Sequence, residues 1–500
     1  MNWLVLTPVL IPLIIAVLTV CCAQSVKQQR MINMFGAGIL LLFSFTLAAE
    51  VFSSGIQTEK LSNWEAPFGI VFVVDHFSAI MVVVSAIVHF LLSIYSLGAI
   101  RRNEENYWYY TFLNMLLVGV FGAFTTGDIF NLYVWFEVML ISSFALLVMG
   151  ERKEQWIGAV KYVALNLIST VLFLLGIALI YGMTGTLNMA DLHLKIQEVD
   201  NIPLLTTIAV VFIVAFGIKS AIFPLYFWLP ASYHTPPVIV STVFAALLTK
   251  VGLYAFIRLF TLIFAFNIGF THQLLLWMGL LSMIVGVLGA LSQHEFRKIL
   301  SYDIISSIGF MIMGLALFTP LSIMAAILYA IHSMFIKANL FMITGVVRRI
   351  KSTLDLNQIG GMYVLTPVLA FIFIASAFAL LGFPPFSGFW GKLIMIKASI
   401  ASEGYYVTAI IIITAILAII PIIRVWNEVF WKPQPKEASI RNKSLTMLQK
   451  EQMFIPMILL VMISLFIGVF PDAIIEITSK AAENLLNPSL YVNAVLGVSP

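Results

Sequence analysis

The sequence predicts an all-α polytopic membrane protein with about fourteen transmembrane helices. Three observations predict it. Apolar runs of 18 residues or more recur from one end of the 500-residue chain to the other, each long enough to cross a hydrocarbon core of about 30 Å. The residues are 61% hydrophobic and only 10% charged, a balance outside that of soluble domains. Once alternate loops are assigned to alternate sides of a membrane, the basic residues gather on one side.

Spans are expected near 3–22, 31–53, 74–98, 109–126, 128–148, 159–182, 203–229, 237–262, 271–292, 299–318, 321–347, 362–402, 405–430 and 452–470. The first reads as a retained helix, not a signal peptide. No Lys or Arg precedes its apolar core, and the core runs about 20 residues. Leu18-Thr-Val-Cys21 is only faintly like a lipoprotein cleavage site, since a basic leader is missing and Val20 is bulky. Cys21 and Cys22 are adjacent and are the only cysteines, so they offer neither metal-ligand spacing nor a disulfide framework. Connections are short. The longest, 431–451, carries Lys432, Lys436, Arg441, Lys443 and Lys450.

With these spans, one side receives eighteen Lys and Arg, among them Lys27, Arg101, Arg152, Arg297, Lys298, Arg348 and Arg424. The other receives Lys60, Lys195 and Lys480. Losing one span would mix the two sets downstream. The asymmetry places both termini on the extracytoplasmic side. Arg424 and Glu428, one helical turn apart, read as a local salt bridge.

Six basic residues remain inside spans: Lys219, Lys250, Arg258, Lys337, Lys392 and Lys397. Arg258 and Lys397 fall near outer helix ends, where a long side chain can reach the headgroups. Lys337 lies toward the inner end, where snorkelling competes with a buried role. With it, Lys219, Lys250 and Lys392 make four basic residues left deep, and a charge at the bilayer centre costs about 2.5–3.5 kcal/mol. Glu137 lies nine residues into its span, roughly 13 Å from the interface at 1.5 Å per residue. His332 is at similar depth.

Two spans are abnormal. Residues 203–236 are interrupted by Pro224, Pro230 and Pro236, with Pro237 following. Residues 362–402 are too long for one crossing and contain Leu381-Gly-Phe-Pro-Pro-Phe-Ser-Gly-Phe-Trp-Gly-Lys392. Freed backbone groups at membrane depth need protein or water partners. Paired broken helices point to inverted repeats with an ion site between them. The expected organisation is residues 1–108 as three N-terminal helices, 109–262 as one five-helix repeat, 263–430 as its inverted copy, and 431–500 as a loop, a last helix and a tail.

Water-poor surroundings disfavour an ammonium, and a neighbouring carboxylate favours it. A lysine whose carboxylate partner comes and goes is a switchable proton carrier. Glu137 is the partner expected for Lys219, Lys250 extends the row, and His332 suits proton passage near neutral pH. Lys337 and Lys392 complete a line of six. The competing reading is static: an ion pair that only fixes helix packing. No glycine loop for nucleotides and no Cys/His cluster for haem or iron–sulfur is present. The chain is therefore expected to hold no cofactor, to act on no nucleic acid, and to draw energy from an ion gradient or a partner.

Phe223-Pro-Leu-Tyr-Phe-Trp-Leu-Pro230, Pro236-Pro237 and Leu248-Thr-Lys-Val-Gly-Leu-Tyr254 resemble the signature of the antiporter-like subunit family. That family includes proton-pumping membrane subunits of respiratory complex I and large subunits of Mrp-type multisubunit Na+/H+ antiporters. Val74-Asp-His-Phe-Ser78, Phe296-Arg-Lys-Ile-Leu-Ser-Tyr302 and Gly382-Phe-Pro-Pro-Phe-Ser-Gly388 extend the resemblance over essentially the whole chain. It implies a hydrated polar axis at mid-membrane, with Glu137 and Lys219 as the Glu–Lys pair, Lys250 as the central lysine and Lys392 as the terminal one. His332-Ser-Met-Phe-Ile-Lys337-Ala-Asn-Leu-Phe341 is similar to the family's eleventh span, with His-to-Lys spacing one residue longer than in complex I.

Trp228-Leu-Pro-Ala-Ser-Tyr-His-Thr-Pro-Pro237 and the lysine at 392 are more similar to the D-type members of Mrp antiporters. The resemblance implies a bacterial cell-membrane protein that is not an enzyme. Its partners would be membrane subunits of A, B, C, E, F and G type, with lipid, H+ and Na+. The implied function is proton translocation driven by the proton motive force, with Na+ export. A proton-pumping subunit of an NADH:quinone oxidoreductase and an assembly scaffold are the alternatives.

Overall fold

Polar caps decide where the apolar runs become helices. The computed structural model describes residues 2–64, 66–105, 108–150, 152–435 and 443–497. Lys436 and Arg441, expected in the longest loop, lie outside the described residues. The principal helices are α1 (Trp3–Cys21), α2 (Val26–Ser54), α3 (His76–Ala99), α4 (Tyr109–Thr125), α5 (Ile129–Val148), α6 (Lys153–Thr184), α7 (Ile202–Ser220), α8 (Trp228–Ser232) and α9 (Val238–Leu262). They continue as α10 (Ile268–Ser292), α11 (Phe296–Leu317), α12 (Pro320–Lys351), α13 (Pro367–Leu381), α14 (Gly388–Ala401), α15 (Tyr405–Trp431), α16 (Met447–Val469), α17 (Pro471–Leu485) and α18 (Pro488–Leu496). Among the described residues, twelve helices are long and apolar enough to cross a membrane, and α4 and α13 are shorter apolar helices. The chain is a multi-pass, mainly helical membrane protein.

Asp75, Asp128 and Thr319 each accept a bond from the backbone amide three residues on, at 2.8, 2.7 and 3.1 Å. These bonds satisfy donors that a helix start leaves free. Thr319 and Ser322 form a reciprocal capping box, with Pro320 in the first turn of α12. α12 is the central rod, buried along most of its length. It packs against α3, α9, α11, α14, α16 and α17. A helix buried on all sides must be apolar all round, so the polar side chains it does carry are conspicuous.

Two helices break. α7 gives way at Ala221 (φ +57°) and α8 starts at Trp228, while α13 gives way at Gly382 (φ +85°) and α14 starts at Gly388. A left-handed residue ends a helix by turning the next amide back on its last carbonyls. π-helical turns also occur twice, at Phe244–Leu248 within α9 and Trp426–Trp431 within α15.

Three local expectations are corrected. First, the all-α reading misses one small sheet: Gln57–Lys60 (β1) pairs antiparallel with Val71–Val74 (β2), with Gln57 opposite Val74. Val74 ends a strand and does not start a span, because Asp75 caps α3 and the β-branched run before it suits a pleated edge. Second, Arg258 does not reach for headgroups. It is buried 2.7 Å from Asp75, its guanidinium lies over the rings of Tyr254 and Tyr491, and Tyr491 comes from the tail helix α18. Third, Arg424 and Glu428 do not pair. A π turn intervenes, and Arg424 Nη1 donates to the Leu291 carbonyl at 2.8 Å while Glu428 takes Lys432 at 2.9 Å. Lys337, expected deep with snorkelling as the alternative, is fully buried and paired with Asp303.

α10 and α11 touch through glycines. A Cβ on Gly309 would lie 2.5 Å from the Gly279 carbonyl oxygen, whereas one on Gly182 meets nothing within 4 Å. Gly309→Ala is therefore expected to cost about 1–3 kcal/mol through overpacking, read as a lower thermal midpoint in detergent. Gly182→Ala should leave the midpoint unchanged or raise it.

Candidate functional site

The interruptions in the helices set the site. Where α7 stops, Lys219 occupies its last turn, and the indole Nε1 of Trp228 donates to the Ile218 carbonyl at 2.9 Å. The Phe223 amide donates to Ser282 Oγ at 2.8 Å. Lys219 is almost wholly buried, and its Nζ lies 5.4 Å from the centroid of the Phe136 ring. Glu137, next to Phe136 on α5, acts electrostatically on Lys219. The two are not among the ion pairs formed by the described residues. Glu137 is half-buried, and its Oε1 is enclosed with no protein partner. Lys219, Phe136, Tyr162, Trp228, Tyr233 and Leu248 line a cavity between α5, α6, α7 and α9.

Lys250 follows the π turn of α9. Its Nζ donates to the Ala245 carbonyl at 2.8 Å, a group inside that turn. A π turn displaces its carbonyls from the regular ladder, and here one of them accepts from the fully buried Lys250 side chain. Gly252 lets the end of α7 press against α9 beside Ser220. Ser220 Oγ and Thr249 Oγ1, adjacent in sequence to Lys219 and Lys250, are both buried without a protein hydrogen-bond partner. Buried hydroxyls left unpaired by protein mark positions where ordered water belongs.

The second half gathers more charge. Lys337 Nζ on α12 pairs with Asp303 Oδ2 on α11. Asp303 also acts electrostatically on Lys250 and on Lys392, and the two lysines each feel Lys337. Lys392 Nζ donates to the carbonyls of Leu381 (2.7 Å) and Leu380 (3.1 Å), the open end of α13. A cation at a helix C-terminus is favoured by the macrodipole. Asp303, Ser307, Tyr329 and Lys392 line one cavity.

His332 sits between these lysines and the second break. Its Nδ1 is 2.8 Å from Ser387 Oγ, which is 2.8 Å from Ser464 Oγ on α16. Its Nε2 is buried without a protein partner, as is the neighbouring Ser333 Oγ. Gly388 must be glycine, since a Cβ there would lie 2.9 Å from His332 Cε1 and overlap the Ala379 carbonyl.

Of the six residues singled out from sequence, Lys250, His332, Lys337 and Lys392 fall into one electrostatic cluster. Glu137 and Lys219 form a second group. Asp303 escaped the sequence reading. It lies five residues into a span expected at 299–318, where an acid reads as headgroup-facing. Charge balance was the available signal: three buried lysines with no carboxylate assigned to them. Among the described residues, no three His, Cys, Asp or Glu side chains come together as a metal site.

Comparison with known proteins follows the same lines. Residues 126–418 match the family described as NADH:quinone oxidoreductase/Mrp antiporter, TM. The D-type member of the Na(+)/H(+) antiporter of Alkalihalophilus pseudofirmus is 42% identical, over 99% of this chain and 100% of that one. Its Bacillus subtilis counterpart is 40% identical over the same shares. Among solved structures, a chain of the Mrp complex from Dietzia sp. superposes with a TM-score of 0.92 at 27% identity, covering 99% of this chain and 100% of that one.

Removing one member of a buried ion pair strands the other, at about 3–5 kcal/mol. Asp303→Asn and Lys337→Met are each expected to lower stability by that order. The double variant should lose less than the sum, because neither charge is left alone. Thermal unfolding of the solubilised protein across the four-member cycle measures the coupling.

Proposed function

The chain belongs to the NADH:quinone oxidoreductase/Mrp antiporter transmembrane family, and from that premise we propose that it is the D-type, proton-translocating subunit of a multisubunit Na+/H+ antiporter. It is read as a transporter subunit and not an enzyme. Its partners in this reading are other membrane subunits, of A, B, C, E, F and G type, in a bacterial cell membrane, with both termini outside. The relatives' names support the antiporter assignment, and the fold shared with a chain of the Mrp complex supports assembly with such partners.

One observation carries the proton path: Lys250, Lys337 and Lys392 share one carboxylate, Asp303. Like charges in a low-dielectric interior disfavour full simultaneous protonation, so such a group titrates as a unit. A proton arriving at one lysine then changes the cost of holding it at the next. Glu137 holds the charge of Lys219 by attraction across a gap, not by contact. Movement at the α7 break would change that attraction and release the proton toward Ser220, Thr249 and Lys250. His332, with one ring nitrogen fixed by Ser387 and the other free of protein partners, passes protons between the lysine cluster and the second break. The paired breaks and paired π turns support two repeats, spanning 109–262 and 263–430, of inverted sense. Proton entry from the extracytoplasmic side would then drive Na+ outward through the assembled complex.

Everted vesicles carrying the whole complex test this. Glu137→Ala and Lys219→Ala are expected to lower Na+-dependent proton exchange by roughly 10²-fold or more, the scale of losing a positioned proton-transfer group, with the complex still assembled. Exchange at the wild-type rate would sink the proton path. Loss of the assembled complex would instead make these charges packing elements.

A further inference from the structure

At the face that carries most basic residues, four guanidiniums converge on one concave pocket. Arg101 follows the end of α3, Arg152 precedes α6, and Arg348 and Arg349 lie in the last turn of α12. Pro237, at the head of α9, and Glu104 complete the wall. Glu104 is the one carboxylate lining it, and its Oε2 accepts from the Arg101 backbone amide at 3.2 Å. Among the described residues none of the four arginines is in an ion pair.

Few of their donors are used. Arg152 Nη2 donates to the Thr235 carbonyl at 2.9 Å and Arg349 Nη1 to that of Ala99 at 3.2 Å. The side chains of Arg101 and Arg348 donate to no described residue. Each guanidinium offers five N–H groups in a rigid fork. The charges also feel one another: Arg152 lies in the field of Arg101, and Arg348 in the field of both. Burial draws Arg152 below the ordinary arginine value, Glu104 opposes this, and Arg101 adds repulsion. Basic residues scattered on such a face need no partner, because water solvates them. Converging arginines, three of them half-buried and Arg101 exposed beside them, are different, since an anion between them relieves the repulsion and satisfies the idle donors.

We propose that this pocket is a binding site for a phosphate-type anion, held by Arg101, Arg152, Arg348 and Arg349. A tetrahedral oxyanion presents paired oxygens to guanidinium forks and carries enough charge to offset several of them. Two sources share this chemistry. All four arginines stand at helix ends, at the depth where phospholipid headgroups lie, and the pocket also opens outward, where free phosphate reaches it. Arg152 ties the site to Thr235, in the segment between α8 and α9, so a bound anion braces the chain just after the first helix break.

The test uses the assembled complex, purified and placed in nanodiscs of phosphatidylcholine with phosphatidylglycerol, or titrated in detergent with inorganic phosphate. Native mass spectrometry reads retained phosphatidylglycerol, and calorimetry reads phosphate binding. Arg348→Gln is the first variant, because Arg348 has no bond within the described chain to lose. Arg101→Gln is the second, and Lys298→Gln, a basic residue outside the pocket, is the control. Loss of one retained lipid in both pocket variants but not the control assigns a lipid headgroup. Retained lipid unchanged, with phosphate binding weakened about tenfold or more in both pocket variants, assigns a free anion. Wild type and variants that bind both probes alike overturn the site.

Discussion

Three lysines from separate helices lie in the field of one carboxylate. Lys250, Lys337 and Lys392 come from α9, α12 and α14, and Asp303 on α11 acts on all of them. Only Lys337 holds it in contact. An isolated charge at this depth costs kilocalories, so the helices that bring these four residues together cannot be rearranged freely. The close glycine seam between α10 and α11 and the buried rod α12 follow from the same need, since each fixes one member of the cluster against the others.

Carbonyls do the remaining work. Lys250 takes the Ala245 carbonyl in a π turn, and Lys392 takes those of Leu380 and Leu381 at the end of α13. Two of the irregularities, the π turn of α9 and the break after α13, therefore expose an acceptor where a lysine needs one. Backbone irregularity inside a membrane is tolerated only where its groups find partners, and here the partners are the charges themselves. The first break differs. There the Trp228 indole takes the Ile218 carbonyl, and Lys219 Nζ lies by the Phe136 ring in the field of Glu137.

The start of α3 shows what a closed charge pair looks like by contrast. Arg258 has Asp75 at 2.7 Å and two aromatic rings against it. Asp75 in turn caps α3 through Ser78. One cation meets one anion with its bonds filled, which is a fastening. In the central cluster basic side chains outnumber carboxylates, and polar atoms such as His332 Nε2 and Ser333 Oγ have no partner among the described residues, which is the composition the proposed proton path calls for.

Hydropathy, the skewed loops and the proline breaks were all legible in the sequence, because each depends on local composition meeting a slab of fixed thickness. Expected depth was the signal that singled out Glu137, Lys219, Lys250, His332, Lys337 and Lys392 from sequence. Partnership was not legible there. Asp303 looked like an acid near a helix end, Arg258 like a snorkelling cation, and Arg424 like the mate of Glu428. In each case the deciding neighbour comes from a helix distant in sequence or from a π turn that shifts the register. The hairpin at Gln57–Lys60 and Val71–Val74 was hidden because four-residue strands leave too short a pattern to outweigh the span that follows. Sequence by itself determined which side chains must be buried in the membrane, since burial there has an energetic signature in composition alone. Only the tertiary structure decided which of them share charge, because electrostatic coupling falls off with distance in space and is indifferent to distance along the chain.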